Sequence, residues 1–375
     1  MVDCSIFYDA LVRHNIKFFT GVPDTVLKSV CAYISDHAPA EKHVVSANEG
    51  GAVALACGYH LATGNVGLVY MQNSGQGNAI NPLISLADPE VYSIPMLLLI
   101  GWRGEPGKHD EPQHIKQGQV TLKLFETIEI PYKILPEDNK PALDCLQKII
   151  DELKKNKAPV ALIVKKGTFK PYELKKSSDL AQEITREKAI ETVADSLGES
   201  DIVVSSTGKI SRELYEYRNR LSGNHNCDFL TVGSMGHCSQ IAMGVALGKP
   251  ERQVYCFDGD GAVLMHMGSL AIIGSEKIKN LKHIVFNNCC HDSVGGQPTA
   301  ALSVSITGIA KECGYKTVLR AKTVDEINDK MKAMKSSEGP SLLEIIVKKG
   351  AREDLGRPKI SPEKNKENFM EFLSK

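Results

Sequence analysis

Excess charge of either sign is missing: 45 Lys and Arg balance 45 Asp and Glu over 375 residues. Nothing global therefore argues for nucleic acid or an anionic membrane as a partner. No apolar run approaches the roughly 20 residues of a membrane-spanning helix. The ten cysteines are scattered without a CxxC pair, which in a chain of this size favours reduced thiols in the cytoplasm over a disulfide frame or a zinc site. The opening residues, MVDCSIFYDALVRHNIKFF, are too interrupted by charge to act as a signal peptide. A GxxxxGK[ST] loop is also lacking, which weakens a nucleotide-binding reading of any glycine turn. These absences point to a cytoplasmic protein whose partner is a small molecule, with neither nucleic acid nor membrane involved. The length predicts two domains, or three small ones, with ample apolar content for sizeable cores.

The most informative stretch that is present runs from 254 to 288, VYCFDGDGAVLMHMGSLAIIGSEKIKNLKHIVFNN. Its apolar runs at 254–257 and 283–286 read as strands, Gly259-Asp260-Gly261 as a tight turn, and 262–274 as a helix. A right-handed crossover of that length makes the strands parallel, so Asp260 and Asn287-Asn288 belong on one sheet edge, where open α/β sheets bind ligands. A carboxylate and an amide oxygen beside glycines suit a hard octahedral ion such as Mg²⁺ that also carries phosphate oxygens. The same residues also fit an ordinary Asp-Gly turn followed by a solvated Asn pair.

GDG followed, after a crossover helix, by NN resembles the thiamine diphosphate motif of the 2-oxo acid decarboxylase superfamily. The resemblance implies thiamine diphosphate and Mg²⁺ as cofactors, with Asp260, Asn288 and the carbonyl of Cys290 as metal ligands, and with Gly259 and Gly261 shaping the diphosphate site. NEGGAVALACGYHLATG, beginning at Asn48, is similar to the superfamily's glutamate segment, so Glu49 is implied as the group that hydrogen-bonds a ring nitrogen of the aminopyrimidine and drives activation of the cofactor. Taken alone, Glu49 reads first as a first-turn carboxylate complementing a helix dipole; the presence of both motifs in one chain favours the functional role. GSMGH at 233–237 resembles the segment that supports the bent cofactor, with Gly233, Ser234 and Met235 against it and Met235 as the wedge; most methionines are core filler.

The rest of the chain supplies further candidates. Residues 5–14 have helical spacing, a strand at 17–20 runs into Gly21-Val22-Pro23-Asp24, and a second strand covers 43–47. Asp24, near a strand end, is a candidate polar group of the active site or the cap of the next helix. After a strand at 66–71 comes the loop 72–78, with Asn81 at the head of a helix. A strand at 94–100 ends in GWRGEPGKHDEPQHIKQGQ, whose glycine, proline and charge read as a long polar loop without a packed core. In it His114 is a candidate proton donor, because imidazole titrates near neutrality and a carbanion must be protonated. A strand at 159–164, a helix at 186–197 and a strand at 202–205 follow.

The halves march in step. Gly21 and Gly208, Gly77 and Gly261, and Val164 and Val347 are separated by 187, 184 and 183 residues, which suggests two copies of one α/β unit. The expected fold class is thus α/β with two similar parallel-sheet domains flanked by helices, the thiamine diphosphate-binding fold. The expected layout is a pyrimidine-binding domain at 1–168, a polar linker at 169–185 and a diphosphate-binding domain at 186–375.

Most members of the superfamily carry a third, central domain, for which this linker leaves no room. TGVPD at 20–24, DEPQH at 110–114, TGKISREL at 207–214, GSMGH, and ARxDLGRP at 351–358 together resemble the short phosphonopyruvate decarboxylase family, with sulfopyruvate decarboxylation as the alternative. The resemblance implies a carbon–carbon lyase that makes phosphonoacetaldehyde and CO₂ for phosphonate biosynthesis, in a homo-oligomer whose active sites are shared between two subunits. Such a substrate calls for a water-poor pocket with positive charge at one end. Arg103, Lys116, Lys209, Arg212, Arg352 and Arg357 all lie in plausible loops; Lys209, Arg212 and Arg357 are the leading candidates, although surface cations are usually only solvated.

Overall fold

Short runs rich in Val, Ile and Leu become strands because both of their faces can be covered by helices, the setting in which parallel sheets form. In this computed structural model, residues 1–176 and 183–375 are described. The expected linker at 169–185 lies partly outside the described residues. The chain divides into two compact units, Met1–Ser177 with Ser293–Gln297 and Ser178–Asp292 with Pro298–Lys375.

The first unit holds β1 (Phe18–Gly21), β2 (His43–Val45), β3 (Gly67–Gln72), β4 (Met96–Gly101), β5 (Tyr132–Ile134) and β6 (Val160–Val164) in the order β2-β1-β3-β4-β6-β5. Every neighbouring pair is parallel. One core joins Phe7, Leu11, Phe19, Leu97 and Leu99 to Leu146 and Ile150, and the other joins Val53, Ala56, Val69, Leu98 and Ile100 to Phe125. Alternate residues of β4 thus feed opposite cores, as the period of two requires. Residues 169–176, expected as linker, are fastened to this unit. Phe169 bridges Val2, and the N–H groups of Lys175 and Lys176 donate to the Asp36 carboxylate.

The second unit holds β7 (Ile202–Ser205), β8 (Asp228–Leu230), β9 (Val254–Gly259), β10 (Leu281–Asn287), β11 (Thr317–Ala321) and β12 (Ser341–Ile346), in the order β11-β12-β10-β9-β7-β8. These strands also pair in parallel. Numbered from its own first strand, the second sheet has the strand order of the first. The near-constant offset between the halves therefore has a topological counterpart.

Three local expectations need correction. The helix expected over 262–274 is two helices, Asp260–Met265 and Gly268–Ser275, because the backbone leaves the helical region at His266 (φ −131°, ψ 51°). Asn81 closes rather than heads its helix, Gln76–Pro82, since helical structure resumes directly after the turn 73–75. The segment 101–119 is not a loose loop: a helix starts at Pro112 and runs to Thr127, with proline preset for a first helical turn. Trp102 there is buried, its indole N–H donates to the Gly118 carbonyl at 3.0 Å, and a Cβ added to Gly118 would lie 1.6 Å from the Gly104 carbonyl oxygen.

Candidate active site

A parallel sheet sends all its strand carboxyl ends to one edge, and ligands settle where consecutive connections leave in opposite directions. In the second unit that switch point lies between β7 and β9. Gly208-Lys209 follow β7, the GDG turn ends β9, and Asn287-Asn288 end β10, one strand further along the same edge. The register pairs Phe286 with Gly259, so the two motifs emerge side by side.

Asp260 is 3% exposed and opens its helix. Its carboxylate accepts from the Thr299 hydroxyl at 2.5 Å, and the backbone N–H groups of Asn288, Asp260 and Gly261 also support its charge. Burial outweighs these donors and pushes the carboxyl up to about 6. The Asn288 side chain is buried, and its Oδ1 accepts from the Cys290 N–H at 3.1 Å. Asn287 is turned into the sheet, donating to Glu344 at 2.7 Å. Of the two adjacent amides, only Asn288 is thus available at the edge. Cys289 stands at φ 57° between Asn288 and Cys290, and its carbonyl accepts from the Thr299 N–H.

Met235 comes to the same place. A Cβ added at Gly261 would touch the Met235 methyl at 3.5 Å and the His291 ring at 3.4 Å, so the glycine leaves open a cradle bounded by both side chains. Gly236 (φ 86°) seats this segment, since a Cβ there would lie 2.5 Å from the His266 ring. Gly233 is half-buried and Ser234 is exposed, with φ 53°.

These residues fit a divalent cation carrying a diphosphate. A buried carboxylate held well above its ordinary range costs stability that a cation at its oxygen would offset. An amide oxygen flanks it, and a glycine-lined, helix-initiating turn offers N–H groups to phosphate. Asp260, Asn288 and the chain at Cys290 would hold the metal.

In the first unit the candidates also gather at the carboxyl edge. Glu49 is the first residue of the helix Glu49–Thr63, capped by the Asn48 side chain, which accepts from the Gly51 N–H. It is 5% exposed, more deeply set than a dipole-complementing surface carboxylate needs. Asn78 donates to its Oε2 at 2.7 Å, and a Cβ on Gly75 would fall 2.5 Å from its Oε1. Asp24 is fully buried, with Oδ2 accepting from the N–H groups of Val26 (2.8 Å) and Leu27 (3.2 Å), and burial pushes it up to about 6. It caps the turn before the helix Lys28–His37. Its Oδ2 would also lie 2.0 Å from a Cβ on Gly101, which places it against the end of β4.

His114 is buried in the first turn of its helix, and its Nδ1 lacks a hydrogen-bond partner among the described residues. Burial and the nearby Arg103 push its pKa down to about 4, so near pH 7 the ring is a neutral imidazole rather than an imidazolium. Arg103 is itself bound to Asp110 and to the Thr25 hydroxyl.

Most of the candidate anion-binding cations are already engaged by protein groups. Lys209 pairs with Asp292 at 2.9 Å, and Arg186, buried and doubly hydrogen-bonded to Glu213, reaches the same carboxylate at 3.2 Å. Arg212 donates to the carbonyls of Leu355 and Gly356, tying down the stretch that carries Arg357. Arg352 pairs with Glu187, Glu216 and Asp354. Lys116 lies exposed on the helix Pro112–Thr127. Sequence reasoning missed Asn78, Thr299, His291 and the Arg186–Asp292 pair. Each acts through the fold on a motif far away in the chain, and no local spacing marks it.

Known proteins resemble this chain in both of its halves. Residues 4–124 match the thiamine pyrophosphate enzyme N-terminal TPP binding domain, and residues 206–345 match the C-terminal TPP binding domain. The chain is 33% identical to phosphonopyruvate decarboxylase of Streptomyces viridochromogenes, with all of this chain and 96% of that protein covered. It is 29% identical to sulfopyruvate decarboxylase of Methanosarcina acetivorans, over 97% of this chain and 96% of that one. The sulfopyruvate decarboxylase subunit beta of Methanocaldococcus jannaschii is 32% identical, matching 50% of this chain and 95% of its own length. Fold and domains thus define a thiamine pyrophosphate-dependent carbon–carbon lyase. Within that class the chain belongs to the phosphonopyruvate decarboxylase family.

Proposed function

We propose that the protein decarboxylates 3-phosphonopyruvate to phosphonoacetaldehyde and CO₂, with thiamine diphosphate and Mg²⁺, as a cytoplasmic step in making phosphonates. The observation that carries the reading is the buried Asp260 carboxylate, held by the Asn288 N–H with Met235 packed over the adjacent Gly261. Residues 186–375 would hold the diphosphate end of the cofactor, and residues 1–168 its pyrimidine end. The bound cofactor supplies a thiazolium that accepts the electron pair freed as CO₂ departs.

The chain's own residues do the remainder. Asp260 and Asn288, with the Cys290 carbonyl, would hold the metal; Gly259 and Gly261 would let the backbone approach phosphate; Gly233, Ser234 and Met235 would support the cofactor. Glu49, oriented by Asn78, would hydrogen-bond the aminopyrimidine ring and hold or release the proton exchanged there. Asp24, against the end of β4, presents a carboxyl held near 6 by burial, poised to exchange a proton close to neutrality. His114 is neutral near pH 7, so it serves as a relay in protonating the product carbon. Lys209 and Arg357 bind the phosphonate, while Arg212, engaged by two carbonyls, positions Arg357.

Phosphonate is preferred to sulfonate because the full-length similarity is higher to the phosphonopyruvate than to the sulfopyruvate decarboxylase. Turnover measured on phosphonopyruvate, sulfopyruvate and pyruvate tests the assignment. The expected order puts phosphonopyruvate first by at least tenfold in kcat/KM, about 1.4 kcal/mol of differential binding; a faster reaction on sulfopyruvate reverses it.

On the family resemblance we also propose a homo-oligomer in which Glu49 of one subunit serves a cofactor held by Asp260 of another. Mixing inactive Glu49→Gln and Asp260→Ala oligomers should then restore part of the activity through hybrid sites. Subunit exchange without recovery counts against sharing.

A further inference from the structure

Behind the glycine turn, inside the second unit, lies a cluster of ligating side chains that the decarboxylation does not use. Cys256 and Asp258 are two residues apart on β9 and so project from the same face of the sheet. His283 on β10 is the direct cross-strand neighbour of Cys256. The sulfur, a carboxylate oxygen and an imidazole nitrogen all lie within 4.8 Å of one another, and none of the three residues is more than 1% exposed. Cys238, the first residue of the helix Cys238–Gly248, brings a second sulfur to 3.5 Å from that of Cys256.

Buried polar groups are ordinarily satisfied, because leaving one without a partner costs about 1–3 kcal/mol. Here the His283 Nε2 stands 3.5 Å from an Asp258 oxygen yet makes no hydrogen bond, while Nδ1 faces the Tyr315 hydroxyl at 3.4 Å. A metal-ligating histidine has this disposition, with one ring nitrogen turned to the ion and the other to a hydrogen-bond partner. The second Asp258 oxygen accepts from the Gly259 N–H at 3.0 Å, which would hold the carboxylate for a single-oxygen contact.

We propose that Cys256, Asp258 and His283 form a buried three-ligand site for a zinc-type divalent cation, separate from the magnesium site proposed at Asp260. One sulfur, one nitrogen and one oxygen make a borderline-soft set, which suits zinc and not magnesium, an ion that takes oxygen ligands octahedrally. Tetrahedral bonds of 2.0–2.3 Å separate donors by about 3.3–3.8 Å, so the cluster would contract by about an ångström around the ion. Binding displaces the Cys256 thiol proton to solvent. The bound ion would link β9 and β10 immediately behind the GDG turn. Since the cluster is closed to solvent, it would load as the chain folds.

The test uses the full chain expressed in defined medium supplied with zinc or with cobalt, then dialysed against reducing buffer containing Mg²⁺. The expected result is one zinc retained per chain and, in the cobalt-grown protein, near-ultraviolet thiolate-to-cobalt charge-transfer bands. Both should persist in Asp260→Asn and disappear in Cys256→Ser and in His283→Gln. Wild-type protein that retains no zinc above background, cobalt without thiolate bands, or metal retained in both cluster variants overturns the proposal. If the cluster variants do not fold, the wild-type metal content and cobalt spectrum alone decide it.

Discussion

The two units share one strand order and differ at their carboxyl edges. The first presents two buried carboxylates, Glu49 and Asp24, each against a glycine that leaves it room, Gly75 and Gly101. The second presents a glycine turn with a raised carboxyl, Asp260, beside an amide and a methionine. Duplicating a scaffold therefore duplicates the places where loops meet, and the chemistry diverges loop by loop. On this account the second edge binds and the first edge activates.

Separating binding from activation gives the largest expected effects. Asp260→Ala should abolish turnover together with detectable retention of thiamine diphosphate. Glu49→Gln should lower kcat by about 10²–10⁴, the range of a lost acid–base group, while cofactor affinity by titration calorimetry stays within a few-fold. If both variants lose affinity equally, the division of labour fails.

Gly75→Ala sharpens the same contrast with no change in charge. The added methyl, 2.5 Å from the Glu49 carboxylate, should displace it and lower kcat by about 10²-fold, the cost of misplacing a reacting group by about an ångström. Cofactor affinity should hold. On the other edge, Thr299→Val removes one bond to the Asp260 carboxylate. It should weaken Mg²⁺ binding about tenfold, in line with a lost hydrogen bond to a charged group, and leave the Glu49 step untouched at saturating Mg²⁺.

The smallest effect is in pH. Asp260 is pushed up to about 6 from 3.8, so its folded value lies above its unfolded one. Protonation is then favoured by folding, and metal-free stability attributable to this group falls as pH climbs from about 4 to about 6. Mg²⁺ needs the ionised form, so its affinity should be flat above about pH 6 and fall up to tenfold per unit below. An affinity that does not change between pH 5 and 7 contradicts the assignment of Asp260 as ligand.

Much of the middle of each sheet was legible in the sequence, because β4 and β6 in the first and β9 and β10 in the second are buried on both faces and read as continuous apolar runs. The short strands Tyr132–Ile134 and Asp228–Leu230 were not, since YKI and DFL carry too few apolar residues to show a period. GDG, NN and the Glu49 segment stood out because glycine and a bare carboxylate at strand ends are chemically conspicuous. Asn78, Thr299 and the Cys256–Asp258–His283 cluster did not, for their partners are set by register and by helix placement. The helix at Pro112 was hidden by its own composition: GWRGEPGKHDEPQH looks like loop until Trp102 and the Gly104–Gly118 approach are seen to pack it.

The most direct measurement of the central claim is CO₂ release from phosphonopyruvate by protein stripped of metal and cofactor, with thiamine diphosphate and Mg²⁺ returned singly and together. The account predicts turnover only when both are present. Turnover with either one absent, or none with both restored, would contradict it.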